Sequence, residues 1–87
     1  MDQADVSATY AMSPRRVMFE YQANGEVRSA AISGDALERL AGGKDLAGPA
    51  QHLAAYHAHW AAIHGVAATK HEQGYQPVVR VGDIQGR

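Results

Sequence analysis

The stretch Val17-Met18-Phe19-Glu20-Tyr21-Gln22-Ala23-Asn24-Gly25-Glu26-Val27-Arg28-Ser29-Ala30-Ala31-Ile32 decides the fold. Asn-Gly between two alternating runs is a strong hairpin signal, because a type I′ turn needs positive φ at both central residues. A two-residue loop also sets the register: Ala23 faces Glu26, Phe19 faces Ala30 and Val17 faces Ile32. One side of the ribbon then collects Val17, Phe19, Tyr21, Ala30 and Ile32. The other carries Met18, Glu20, Gln22, Val27, Ser29 and Ala31. The first is the expected core face, and a one-residue slip would turn it toward water.

Outward from this hairpin, the spacing predicts two helices and a last strand. Ser33 is an N-cap, Asp35 suits the first turn, Leu37, Leu40 and Ala41 recur at helical spacing, and Gly42-Gly43 ends the element. A second helix starts with Gly48 as N-cap and Pro49 in its first turn, and runs to about Gln73, with Gly74 as its C-terminal cap. Gly65 is the expected bend. Pro77 then opens the strand Val78-Val79-Arg80-Val81. On the other side, residues 1–14 read as a flexible segment or a short edge strand over Val6–Tyr10. Residues 15–84 form a single domain and 85–87 a tail. The expected fold is α+β: a small, mainly antiparallel sheet covered by one short and one long helix.

Composition narrows the function. The chain has 87 residues, no Cys, and Lys+Arg 8 against Asp+Glu 9. Ala supplies 17 residues, while Leu, Ile, Val and Phe together supply 15, a thin stock of large core side chains. Absence of Cys excludes disulfides, thiolate metal sites and thiol nucleophiles. The acidic start without an apolar core does not read as a secretory signal, so the expected compartment is the cytoplasm. No run approaches the length needed to span a bilayer. A net charge of −1 lacks the basic excess of a nucleic-acid binder. That reading would need Arg15, Arg16, Arg28, Arg80 and Lys70 on one face. No phosphate loop, dinucleotide fingerprint or nucleophile elbow is present, and no catalytic residue or cofactor is expected.

All five histidines, His52, His57, His59, His64 and His71, fall on the second helix. Helical chelation needs pairs three or four residues apart. The consecutive separations are 5, 2, 5 and 7, which argues against a metal site. With Leu53, Tyr56, Trp60, Ile63 and Ala67 as the buried stripe, the histidines are expected at its boundary or on the surface. His57, His64 and His71 remain candidates for pH sensitivity. Ala54, Ala55, Ala58, Ala61, Ala62, Gly65 and Ala68 form a smooth strip elsewhere on the helix. Of these, Ala54, Ala58, Ala61, Ala62 and Gly65 are the candidate surface for a protein partner or a weak homo-oligomer.

Val17-x-Phe19, Asn24-Gly25, Ala31-Ile32-Ser33 with Ala36-Leu37, Tyr56-x-x-His59, Ile63, Ala67, Lys70 and Gly74 together resemble a family of small bacterial proteins, domain of unknown function 1488. The resemblance spans roughly Arg16 to Asp83. It implies a compact α+β domain in a bacterial cytosol, and it brings no assigned activity. The residues point to a non-enzymatic accessory or protein-interaction module. The alternatives are a metal- or pH-responsive His-rich domain or a nucleic-acid-binding regulator.

Overall fold

The computed structural model describes residues 2–84, so the tail 85–87 lies outside the described residues. In chain order the elements are β1 (Thr9–Ala11), β2 (Arg16–Ala23), β3 (Glu26–Ser33), α1 (Gly34–Leu40), α2 (Gly48–Glu72), β4 (Val78–Val79) and α3 (Val81–Ile84). The four strands form one sheet in the order β1-β2-β3-β4. The first two pairings are antiparallel and the last is parallel.

The hairpin has the expected register, with Ala23 opposite Glu26, Phe19 opposite Ala30 and Val17 opposite Ile32. Asn24 and Gly25 take φ of 54° and 79°, as a type I′ turn demands. Val17, Phe19, Tyr21 and Ile32 are buried under the helices, with Leu37, Tyr56, Ile63 and Val79 among their neighbours in the core. Ser33 caps α1 by accepting the Ala36 N–H at 3.1 Å.

Four expectations are corrected. The early strand lies at Thr9–Ala11, not Val6–Tyr10. The last strand is two residues long, because Asp83 accepts the Arg80 N–H at 2.9 Å and turns the chain into α3. Helix α2 takes Ala47 as N-cap, with Gly48 as its first residue at φ 68°. Ala47 has no capping side chain; instead its N–H is taken by Gln51 Oε1 at 2.9 Å. Finally, α2 departs from helical geometry at His59 (φ −123°, ψ 18°), not at Gly65. At the other end the expected glycine closure is present: Gly74 takes φ 85°, and Tyr75 N–H reaches Lys70 O at 2.9 Å.

Candidate functional site

The type I′ hairpin dictates which backbone groups of β2 point away from β3. Ala23 and Glu26 are a hydrogen-bonded pair, so Met18, Glu20 and Gln22 direct their N–H groups to the opposite edge. Strand β1 covers only residues 16–18 of that edge. Beyond it, carboxylates replace a strand. Asp5 Oδ2 accepts the Glu20 N–H at 2.8 Å, and Asp2 Oδ1 accepts the Gln22 N–H at 3.0 Å. The segment before β1 is thereby tied to the sheet.

The same strap reaches the core. Asp2 Oδ2 lies 2.9 Å from His64 Nδ1, and His64 Nε2 lies 2.6 Å from the Tyr56 hydroxyl. Tyr56 Oη in turn accepts the Asp5 N–H at 2.9 Å. An ionised carboxylate only accepts, so His64 Nδ1–H donates to Asp2 Oδ2, while Nε2 shares its hydrogen bond with the Tyr56 hydroxyl. Phe19 stacks on the imidazole at 4.9 Å with a 7° interplanar angle. Burial opposes ionisation of Asp2 and Asp5. The hydrogen bonds from Gln22 and His64 to Asp2, and from Ser7 and Glu20 to Asp5, nevertheless hold both carboxyls below their usual range. Burial pushes the Tyr56 phenol up.

His52 is buried as well, under Tyr10, whose ring centroid is 4.6 Å away. Its Nδ1–H donates to Gly48 O at 2.7 Å, which leaves Nε2 to accept from Arg15 Nη1 at 3.2 Å. Arg15 also meets Glu38 at 3.2 Å and Asp35 at 3.1 Å. The Leu46 N–H and Arg15 lower the Glu38 carboxyl, and Glu38 and Asp35 raise the Arg15 guanidinium.

The histidines therefore divide. His52 and His64, expected at the boundary, are 1% and 2% exposed. His57 and His71 are exposed, and His59 is half-buried. The expected stripe was displaced because Ala lies on every side of α2 and gives little amphipathic contrast. The buried stripe turns toward Ala55 and Val66, leaving Leu53 and Trp60 half-buried. Among the described residues, no three His, Asp or Glu are arranged to hold a metal ion.

Ala54, Ala58, Ala61, Ala62 and Gly65 are all exposed, whereas Ala55 belongs to the core and Ala68 packs partly against it. The more structured surface lies on the other side of the molecule. Among the described residues no helix covers the outer face of the sheet, and a groove of about 660 Å³ crosses it over Met18, Ala31 and Val78. Met18 is 40% exposed at its floor. Arg16 stands on one side of the floor and Glu20 and Asp5 on the other. An adjoining pocket of about 470 Å³ collects Arg15, Arg16, Arg80 and Ser33. Lys70 and Arg80 line a further pocket, and Arg28 lines none of these. Met18 and Glu20 were legible as outward residues of the hairpin. Nothing local marked Asp2 as a partner of a residue on α2.

Among the described residues, no helix is long and apolar enough to cross a membrane. No curated protein and no solved structure gave a match to this chain. A family model does match, over residues 5–81, which takes in the whole sheet and both major helices. The chain therefore belongs to the family described as protein of unknown function, DUF1488.

Proposed function

We propose that this chain is a non-enzymatic accessory module that docks a protein partner on the open face of its sheet. The groove over Met18 carries this reading. It joins an apolar floor to polar rims of opposite charge, the composition of a protein-docking surface. The two buried histidines support a structural role, since each ring nitrogen already has a partner. A bacterial, cytoplasmic setting, implied by the family resemblance, belongs to the same reading.

Affinity capture from the native cell tests it, using wild type, Met18→Asp and Ala58→Glu side by side. Loss of a specific partner with Met18→Asp but not Ala58→Glu supports the sheet face. The reverse pattern moves the site to the small-residue strip of α2. A partner set indifferent to both substitutions defeats the interaction reading on either surface.

A second reading, a pH-responsive domain, draws on the chain from Asp2 through His64 to Tyr56. Following the imidazole and strap amide resonances between about pH 5 and 8 tests it. Strap amides that stay still across that range would sink it.

A further inference from the structure

Strand pairing arranges the outer face of the sheet in three rows. Thr9, Met18, Ala31 and Val78 are successive cross-strand partners, so one uncharged row runs across all four strands. Two residues to one side, Ala11, Arg16 and Ser33 form the next row. Arg80, two residues past Val78, stands beside Arg16 in the same pocket. Two residues to the other side, Glu20 pairs with Ser29, and Asp5 and Gln76 line the groove with them. The face is thus positive on one flank, negative on the other and neutral between. The charge of Arg15 is matched by Asp35 and Glu38, so Arg16 and Arg80 carry the positive excess.

From this order we infer that the occupant of the groove is a second copy of the chain, packed face to face about a two-fold axis along the neutral row. This rests on the docking reading above. Rotation about an axis that crosses the strands makes the two β2 strands antiparallel. Met18 then meets its own mate, and Arg16 meets Glu20 of the second copy twice, once at each end. Arg16 and Glu20 lie about 6–7 Å on either side of Met18 along the strand. Stacked sheets lie about 10 Å apart, a gap that these long side chains can bridge once Arg16 Nη1 exchanges the Pro14 and Met12 carbonyls, which it meets at 2.8 and 3.3 Å, for the carboxylate. An axis along the strands would instead oppose Arg16 to Arg16 and Glu20 to Glu20, so charge selects the antiparallel arrangement. Small side chains at Thr9, Ser29 and Ala31 permit the approach. With one Met per copy at the centre, the association is weak and concentration-dependent.

Sedimentation of the intact chain up to about 1 mM at low salt reads this directly, since added salt screens the flanking pairs. The expected result is a monomer–dimer equilibrium that weakens with salt. Arg16→Glu and Glu20→Arg should each raise the dissociation constant about tenfold or more, and the double reversal should restore it. The absence of Cys permits a second readout with a short bis-maleimide. Met18→Cys should cross-link. Val27→Cys should not, because its mate would be roughly 26 Å away along the strands. A monomer at the highest concentration, a dimer indifferent to the charge reversals, or equal cross-linking at both positions overturns the inference. A monomeric chain that still loses a captured partner with Met18→Asp keeps the docking reading and removes self-pairing.

Discussion

The Tyr56 hydroxyl is hydrogen-bonded to His64 Nε2 across 2.6 Å, and the same oxygen accepts the Asp5 N–H at 2.9 Å. One buried phenol thus joins the long helix to the segment before β1. The link is polar at each step, and the surrounding rings of Phe19, Tyr21 and Trp60 keep it away from water. Buried groups of this kind cost more to orphan than they contribute when satisfied.

Tyr56→Phe should therefore destabilise the fold by about 1–3 kcal/mol, because it leaves both His64 Nε2 and the Asp5 N–H without their partner. Tyr21 provides the contrast. Its hydroxyl is buried without a hydrogen-bond partner among the described residues. Tyr21→Phe should be neutral or stabilising by up to about 1 kcal/mol. Urea denaturation of the two variants beside wild type measures the difference, and equal losses would contradict the assigned network.

Acid should loosen the strap before the hairpin. Asp2 and Asp5 have folded pKa values below the reference 3.8, despite burial acting the other way. A lowered carboxyl contributes stability that is present above its unfolded pKa and is lost as pH falls through the folded one. The loss from these two carboxyls belongs below about pH 4. Asp2→Asn and Asp5→Asn should flatten that acid limb of the urea midpoint. In hydrogen exchange at low pH, the Glu20 and Gln22 amides should lose protection ahead of Phe19 and Tyr21, whose N–H groups bond to β3.

How far these features were legible depends on the sequence distance of their causes. Asn24-Gly25, the Ser33 cap and the Gly74 closure are local, and each appears where its residues place it. The register follows from the turn, and so does the outward display of Met18 and Glu20. His64 and Asp2 are 62 residues apart, and no spacing rule connects them. The buried stripe of α2 was misplaced because alanine is indifferent to which side faces water, and the departure at His59 has no sequence mark. Strand β4 is shorter than the β-branched run through Val81 suggests. Asp83, which ends the strand, acts through side-chain hydrogen bonds that composition does not encode.

Asp83 is the hinge of that C-terminal corner. Lys70 Nζ donates to Asp83 Oδ2 at 2.8 Å and to Val78 O at 2.9 Å, so one ammonium ties α2 to both β4 and α3. Lys70→Met keeps the aliphatic stem over the core and removes both bonds. It should cost about 1 kcal/mol, since the pair is partly exposed. The loss should be local: amide exchange at Val78 and Val79 should accelerate while the hairpin keeps its protection.

The alanines of α2 separate surface from core most directly. Ala55 is 8% exposed and Ala58 is exposed, although both sit in the same Ala-rich run. Ala55→Glu forces a carboxylate into the buried side of α2 and should cost about 3 kcal/mol or more, enough to unfold a domain with so few large core residues. Ala58→Glu should change stability by no more than about 0.5 kcal/mol, because glutamate is nearly as good a helix former as alanine. Thermal unfolding of the two variants decides between the observed phase of the helix and the one centred on Leu53 and Trp60. In that alternative phase both alanines face water, and both substitutions would be equally mild.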